Sequence, residues 1–294
     1  MLSILIPIYN FDVTELIGEL SHQAEKLNIP HEIICIDDKS ESSFVKKNKV
    51  IDEIKSVIYS KLSKNIGRSK IRNLLATKAQ FENLLFLDCD TKINTKNFLK
   101  NYIEIINDND VIVGGIEYEP LQENNRDLLL RWLYGKNREE KKAIVRTKNP
   151  YVSFSACNML IKKSICNKIF FSETISQYGH EDTLYGIELK SLDIKVKHID
   201  NPIIHLGLDE TSVFIRKTEL GLENFKSIST SNPEIIYLTK IGRFANAISY
   251  TLFLTKPIFK GIRFLSKSLL LKGSKNLILF DLFKLSFLLS LEKN

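Results

Sequence analysis

Across its first half the chain alternates short apolar runs with stretches of helical periodicity, and this alternation narrows the choice of fold more than any other feature. Ser3 to Ile8 reads as a buried strand. Val13, Leu16, Ile17, Leu20, Ala24 and Leu27 then recur at helical spacing behind an Asp12-x-x-Glu15 capping pair, and Pro30 closes that helix. His31 to Ile36 is predicted as a second strand, Phe44 to Lys55 as a helix, and Val57 to Ser60 as a third strand. Ser69 to Ala79 reads as a helix, Leu84 to Leu87 as a fourth strand, Lys96 to Asn107 as a helix, and Val111 to Ile116 as a further strand. Repeated strand-helix-strand units imply an α/β fold with a mostly parallel sheet and helices on both faces. Ligands of such sheets bind beyond the carboxyl ends of the strands, and the chemistry is expected at that edge.

The second half changes texture twice. Pro120 to Pro150 is a charged excursion that carries the single tryptophan, Trp132, and reads as a helix plus a mobile loop. Tyr151 to Ile161 and Ile194 to Ile199 are predicted strands, with a helix from Asp182 to Ser191 between them. Beyond Asn232 aliphatic and aromatic residues are punctuated by single lysines. Ile235 to Asn294 holds ten Lys or Arg against Asp281 and Glu292, a net of +8, which leaves the first 234 residues at −1 out of a total of +7. A basic tail on a near-neutral body argues against nucleic-acid binding, which usually places a basic face on the folded core. The longest uncharged run of the tail, Phe244 to Thr255, has 12 residues, short of the ~20 that cross a bilayer. Phe244, Ile248, Leu252, Phe259, Ile262, Leu265 and Leu269 recur near helical spacing among Lys256, Lys260, Arg263, Lys267, Lys272 and Lys275. This pattern predicts an amphipathic basic helix that lies on an anionic membrane or packs its apolar face on protein, including a second copy.

The amino terminus has no basic residue ahead of its apolar run, so it is read as a strand rather than a signal peptide, and the chain is expected in the cytoplasm, at the inner face of the plasma membrane if the tail docks there. Cys35, Cys89, Cys157 and Cys166 show no C-x-x-C spacing and are expected as reduced core residues.

Three acidic clusters fall at the edge where ligands bind. Asp37-Asp38 follows the second strand, Asp88-Cys89-Asp90 follows the fourth, and Glu181-Asp182 opens a helix after Gly179. Two carboxylates one residue apart at a strand end are able to hold a divalent metal and leave positions for phosphate oxygens. A second pair of the same spacing, Asp108 and Asp110, precedes its strand and stands at the wrong end.

The order of segments carries more information than any one of them. Ile4-Leu5-Ile6-Pro7-Ile8-Tyr9-Asn10, Ile36-Asp37-Asp38-Lys39-Ser40, Asn65-Ile66-Gly67-Arg68 with Arg72-Asn73, and Phe86-Leu87-Asp88-Cys89-Asp90 follow one another in a way that resembles the nucleotide-sugar half of the family 2 glycosyltransferases. Tyr178-Gly179-His180-Glu181-Asp182 and the later His205 resemble the acceptor half, and also the G-x-E-D element of related galactosyltransferases. The resemblance covers about residues 1 to 210 and leaves out the tail.

It implies a GT-A fold: a domain over 1–232, with a nucleotide-sugar half at 1–118 and an acceptor half at 119–232, followed by a basic helical tail over 233–294. It also implies an inverting, metal-dependent hexosyl- or N-acetylhexosaminyltransferase. One sugar would move from a UDP-sugar, or another nucleotide diphosphate sugar, to a hydroxyl of a glycan or lipid-linked oligosaccharide. On the same resemblance Pro7, Tyr9, Asp38, Arg68, Arg72, Asp88 and Cys89 border the donor. Asp38 would accept the uracil N–H, and Arg68 or Arg72 would face the base or the diphosphate. Asp90 would hold Mn²⁺ or Mg²⁺, with Asp88 on the ribose or a metal-bound water and His205 completing the metal shell. Asp182 would be the general base, with Glu181 as the alternative, and Asp37 would serve structure.

Ser153 to Lys163 resembles the acceptor-side strand that often carries Gly-Gly-Asn, but Ala156-Cys157 stand in place of the glycines, before Asn158. Asn158 and Trp132 are candidates for sugar contact, and His180 has no assigned role. A Q-x-x-R-W processivity motif and long hydrophobic helices are missing from the sequence, which favours single-sugar transfer over polymer synthesis. Two rivals are a sugar nucleotidyltransferase, which would show a Gly-rich loop after the first strand, and an inactive carbohydrate-binding scaffold, which would tolerate loss of Asp90 and Asp182.

Overall fold

The computed structural model describes residues 1–121, 125–173, 179–249 and 252–291; Tyr178 and the side chains of Leu252 and Lys256 lie outside the described residues. In chain order the elements are β1 (Leu2–Ile8), α1 (Thr14–Lys26), β2 (His31–Asp37), α2 (Ser42–Asn48), β3 (Val57–Lys61), α3 (Arg68–Lys78), β4 (Asn83–Leu87), β5 (Thr91–Lys92), α4 (Phe98–Ile103), β6 (Val111–Val113) and β7 (Ile116–Glu117). There follow α5 (Leu129–Tyr134), α6 (Ala143–Arg146), β8 (Asn158–Lys162), α7 (Lys163–Cys166), α8 (Glu181–Ser191), β9 (Val196–His198) and β10 (Ile203–His205). The chain ends in α9 (Thr211–Ser231), α10 (Glu234–Leu238), α11 (Lys240–Ser249), α12 (Leu252–Leu271) and α13 (Leu277–Ser290).

Two compact units share these elements. One comprises Met1–Tyr118, Glu140–Thr174 and Glu181–Gly207; the other comprises Glu119–Glu139, Ile175–His180 and Leu208–Asn294.

The first unit holds a seven-stranded sheet in the order β3-β2-β1-β4-β8-β6-β9, and only β8 runs against its neighbours. Its central strands are apolar throughout because both faces are covered. Ile4, Ile6 and Ile8 join Ile33, Cys35, Leu85 and Leu160 against α1 and α4, while Leu5, Ile34, Phe86 and Met159 join Ile71, Leu75, Tyr185 and Leu189 on the other face. All four cysteines are free thiols.

Several observed elements differ from the sequence reading. Asp12 accepts hydrogen bonds from Thr14 N (3.1 Å) and Thr14 Oγ1 (2.8 Å), so it shapes the turn before α1 rather than closing a capping box with Glu15. The helix expected over Phe44 to Lys55 ends at Asn48. That buried side chain accepts Val13 N at 3.0 Å and donates to Phe11 O at 2.8 Å, and a 3-10 turn follows. The strand expected over Val111 to Ile116 breaks at Gly114-Gly115. A Cβ at Gly114 would meet Tyr102 Oη at 2.2 Å, and Gly115 has a φ of +94°. The break sends β7 into a separate three-stranded sheet, β5-β10-β7. The strand expected from Tyr151 begins only at Asn158. The described residues between Pro120 and Pro150 hold several short helical turns where the sequence reading had a helix and a mobile loop.

The second unit is helical. Leu130, Phe214, Ile215, Leu222, Leu270, Phe280, Phe283 and Phe287 form its core, and the Phe214 and Phe280 rings stack at 5.0 Å. Asn276 caps α13 by accepting Ile278 N (2.8 Å) and Leu279 N (3.2 Å). Residues on both sides of Asn232 therefore share one core. No described helix is long and apolar enough to cross a membrane.

Candidate active site

The carboxyl ends of β1, β2 and β4 define the site. Ile8 pairs with Asp37 in parallel register, so Tyr9 and Asp38 emerge side by side, and Asp88 follows β4 along the same edge. Tyr9 is exposed and Pro7 half-buried. Asp37 is fully buried and tied down, accepting Ser40 N at 2.6 Å and Tyr59 Oη at 3.2 Å. It holds the turn that presents Asp38. Asp38 accepts Ile66 N at 2.7 Å on one oxygen and Gly67 N at 2.9 Å on the other, which fixes the loop before α3. A carboxylate has about four acceptor sites, so each oxygen keeps one for a ligand.

Arg72 lies deeper than a donor-contacting residue would. Its side chain is 4% exposed, donates from Nη2 to Asp88 Oδ1 at 2.7 Å, and faces Glu181 Oε1 (4.0 Å) and Asp182 Oδ1 (3.9 Å) from Nη1. Burial opposes its charge, but the three carboxylates outweigh burial and hold the guanidinium protonated above its ordinary value. Burial likewise opposes the Asp88 carboxylate, yet Arg72 and Arg68 hold it below the usual range. Arg68, at the start of α3, is half exposed and lies 3.7 Å from Glu181 Oε1.

Asp90 is set apart from this pair. Burial raises its carboxyl above the ordinary value, against the pull of His205, whose Nε2 lies 3.4 Å from Asp90 Oδ2. The small sheet makes this meeting: β10 pairs with β5 so that His205 stands opposite Thr91, next to Asp90. Among the described residues no three His, Cys, Asp or Glu side chains converge as a preformed metal site. Cys89 stays a neutral thiol, its ionisation pushed up to about 12 by burial and by Asp90.

Asp182 sits in the first turn of α8. Its Oδ2 accepts Ser155 Oγ and Ala156 N, both at 3.1 Å, whereas Oδ1 is buried without a hydrogen-bond partner. Burial pushes this carboxyl up to about 6, with Arg72 pulling the other way. His180 has a φ of +71°, and its ring lies 5.2 Å from that of Phe225 in the helical unit.

The sequence pattern described as glycosyl transferase family 2 matches residues 3–170. The chain belongs to this family. Solved structures with the same fold include S. aureus TarS, at 19% identity and a TM-score of 0.51 over 76% of this chain and 39% of that one. The mannosyltransferase PcManGT from Pyrobaculum calidifontis, in complex with GDP-Man and Mn2+, is 12% identical with a TM-score of 0.60, covering 98% of this chain and 85% of that one. S. aureus TarS 1-349 in complex with UDP-GlcNAc is 19% identical with a TM-score of 0.52, covering 76% of this chain and 66% of that one. The chain thus spans 39% of the length of the TarS chain, and no curated protein matches it. The family 2 chain has the GT-A fold, a mostly parallel sheet flanked by helices with a helical carboxyl-terminal region.

Other candidates lie elsewhere. Asn158 is fully buried as a strut: it accepts Tyr102 Oη at 2.7 Å and donates to Gly115 O and Asn201 O, each at 2.9 Å, so it has no face for a sugar. Trp132 donates from Nε1 to Glu119 O at 2.7 Å within the helical unit. Asp108 and Asp110 precede β6, at the opposite end of the sheet from Asp88.

One residue of the site was not anticipated. A Cβ on Gly207 would meet Asp90 Oδ2 at 2.0 Å, so the glycine two positions after His205 makes room for the carboxylate. Gly207→Ala is expected to displace Asp90 and weaken nucleotide binding by about tenfold or more, with the melting temperature nearly unchanged. Calorimetry beside a thermal melt checks this, and a large drop in melting temperature with binding intact would give Gly207 a structural role instead.

Proposed function

We propose that this family 2 glycosyltransferase moves one sugar, with inversion, from a UDP-sugar or another nucleotide diphosphate sugar to a hydroxyl of a glycan or lipid-linked oligosaccharide. The observation that carries the reading is the placing of Asp90 with His205, and of Asp182 with Ser155 and Ala156, at the carboxyl edge of one sheet. The neighbours solved with UDP-GlcNAc and with GDP-Man and Mn2+ support a nucleotide-sugar donor.

Asp90 and His205 fit a divalent ion, Mn²⁺ or Mg²⁺. Their 3.4 Å separation exceeds an ordinary hydrogen bond and is near the ~3 Å that separates adjacent ligands of one octahedral ion. When bound, such an ion neutralises the charge that develops on a departing diphosphate. Two protein ligands are few, so the donor's phosphate oxygens would complete the shell, with Asp88 reaching the ribose or a metal-bound water. Pro7, Tyr9, Asp38, Arg68 and Cys89 border the nucleotide. Arg72 acts from behind them by orienting Asp88.

On the acceptor side, the hydroxyl oxygen forms a bond to the anomeric carbon from the face opposite the diphosphate, and the bond from that carbon to the diphosphate oxygen breaks. The hydroxyl proton passes to Asp182, whose Oδ1 has no hydrogen-bond partner while Oδ2 is held by Ser155 and Ala156. Glu181, facing Arg68 and Arg72, serves as their counter-charge.

A screen of nucleotide sugars with Mn²⁺, read as nucleoside diphosphate release, tests the proposal. Hydrolysis of none of them, with no nucleoside diphosphate binding, rejects it. The Asp182 carboxyl titrates near 6, and only its ionised form takes a proton, so turnover should fall about tenfold per pH unit below 6 and level off above it. A rate that is flat from pH 5 to 7 removes Asp182 from the role.

A further inference from the structure

From Ile235 to Phe280 the sequence contains no acidic residue, while lysine and arginine recur throughout. The helical unit uses some of these cations internally. Lys267 Nζ lies 2.7 Å from Glu219 Oε1, and Arg263 lies 4.1 Å over the Phe287 ring with Nη2 3.6 Å from the same carboxylate oxygen. Ser266 and Leu270 are buried on that side of α12. The opposite side is solvent-facing and apolar: Ile258, Phe264, Leu265, Leu269 and Leu271 are 60, 77, 61, 42 and 50% exposed. Lys260 and Lys272 stand in the same exposed arc, and Lys275 follows in the exposed turn before α13.

We propose that this face of α12 docks on an anionic lipid bilayer and lies in its headgroup plane. Five large apolar side chains left together in water form a patch of the kind that marks an interaction surface. Charge selects the occupant. A second copy pairing α12 on α12 about a two-fold axis would bring Lys260 and Lys272 against their own like charges, with no carboxylate in the segment to neutralise them. An anionic headgroup layer supplies the missing charge, and an apolar face bordered by lysines is the composition of an interfacial helix. Long lysine stems also allow the ammonium groups to reach the headgroups while the face beside them is buried. The inference shares no residue with the sugar-transfer site and does not depend on that chemistry.

Flotation of the full chain with vesicles of phosphatidylcholine containing phosphatidylglycerol, and of phosphatidylcholine alone, tests it. Co-flotation is expected with the anionic vesicles only, and it should weaken as salt rises. Phe264→Ser with Leu265→Ser should abolish it. Lys260→Gln with Lys272→Gln should lower the partition coefficient roughly thirtyfold at low salt, about fivefold for each lysine. These four side chains are exposed, so the variants should melt as the parent does. No flotation with anionic vesicles at low salt, equal flotation with both compositions, or undiminished flotation of the Phe264/Leu265 variant overturns the proposal. A dimer in sedimentation velocity that the same double substitution dissolves would assign the face to a second copy and overturn it as well.

Discussion

Replacing Asp182 by Asn is expected to lower turnover by roughly 10² to 10⁴ while leaving nucleotide affinity nearly unchanged. The substitution keeps the shape of the side chain, and an amide oxygen can still accept from Ser155 Oγ and Ala156 N as Asp182 Oδ2 does. What is lost is the basicity of the other oxygen. At about 1.4 kcal/mol for each factor of ten, the loss corresponds to about 3 to 6 kcal/mol of transition-state stabilisation. Single-turnover rates alongside nucleotide titrations separate the two quantities. An unchanged rate would pass the role to Glu181, whose contacts with Arg68 and Arg72 make it the weaker candidate.

Asp90→Asn should produce the opposite division of effects. On the proposed reading Mn²⁺ is expected to tighten UDP binding to the wild type markedly, because Asp90 and His205, 3.4 Å apart, would give the ion two protein ligands and leave the rest of its shell to phosphate oxygens, and by reciprocity UDP would tighten Mn²⁺ binding. Groups that only hydrogen-bond to a metal's ligands are worth roughly 10- to 100-fold in metal affinity, so removal of a direct ligand should cost at least about 100-fold of the metal-dependent gain. Calorimetry of UDP with and without Mn²⁺, on wild type and variant, reads it directly. Equal UDP affinity in the wild type with and without the ion would remove the metal from the proposal.

The sheet was legible because its strands are covered on both sides: a run such as Leu2 to Ile8 has no amphipathic alternative in water. The edge that carries Asp38, Asp88 and Asp90 follows from the same regularity. The pairing of His205 with Asp90 does not, since it depends on strands of two and three residues, too short to leave a periodic signal. Gly114 and Gly115 carried a hint of the break between β6 and β7, but the obstacle at Gly114 is Tyr102, brought there by another element. Asn158 shows how residue type misleads. An asparagine within an acceptor-side motif suggests a sugar ligand, yet its hydrogen bonds are all spent inside the fold. Ala156 makes a different point. It stands in place of a glycine of the resembled Gly-Gly-Asn strand, and what it gives Asp182 is a main-chain N–H, which any residue except proline supplies.

Arg72 joins the strand-end aspartate of the donor side to the paired acids that open α8, so their charges belong to one ensemble. Selection would then act on this arginine and its carboxylates together. An acid lost at position 88 or 182 leaves Arg72 with unmatched charge, and a neutral residue at 72 leaves buried acids without a counter-ion, so each change alters what the others tolerate. Exploration of new acceptors by altering the surroundings of Asp182 would have to keep Arg72 matched in charge, and the route to a new specificity would pass through compensating pairs of substitutions rather than single ones.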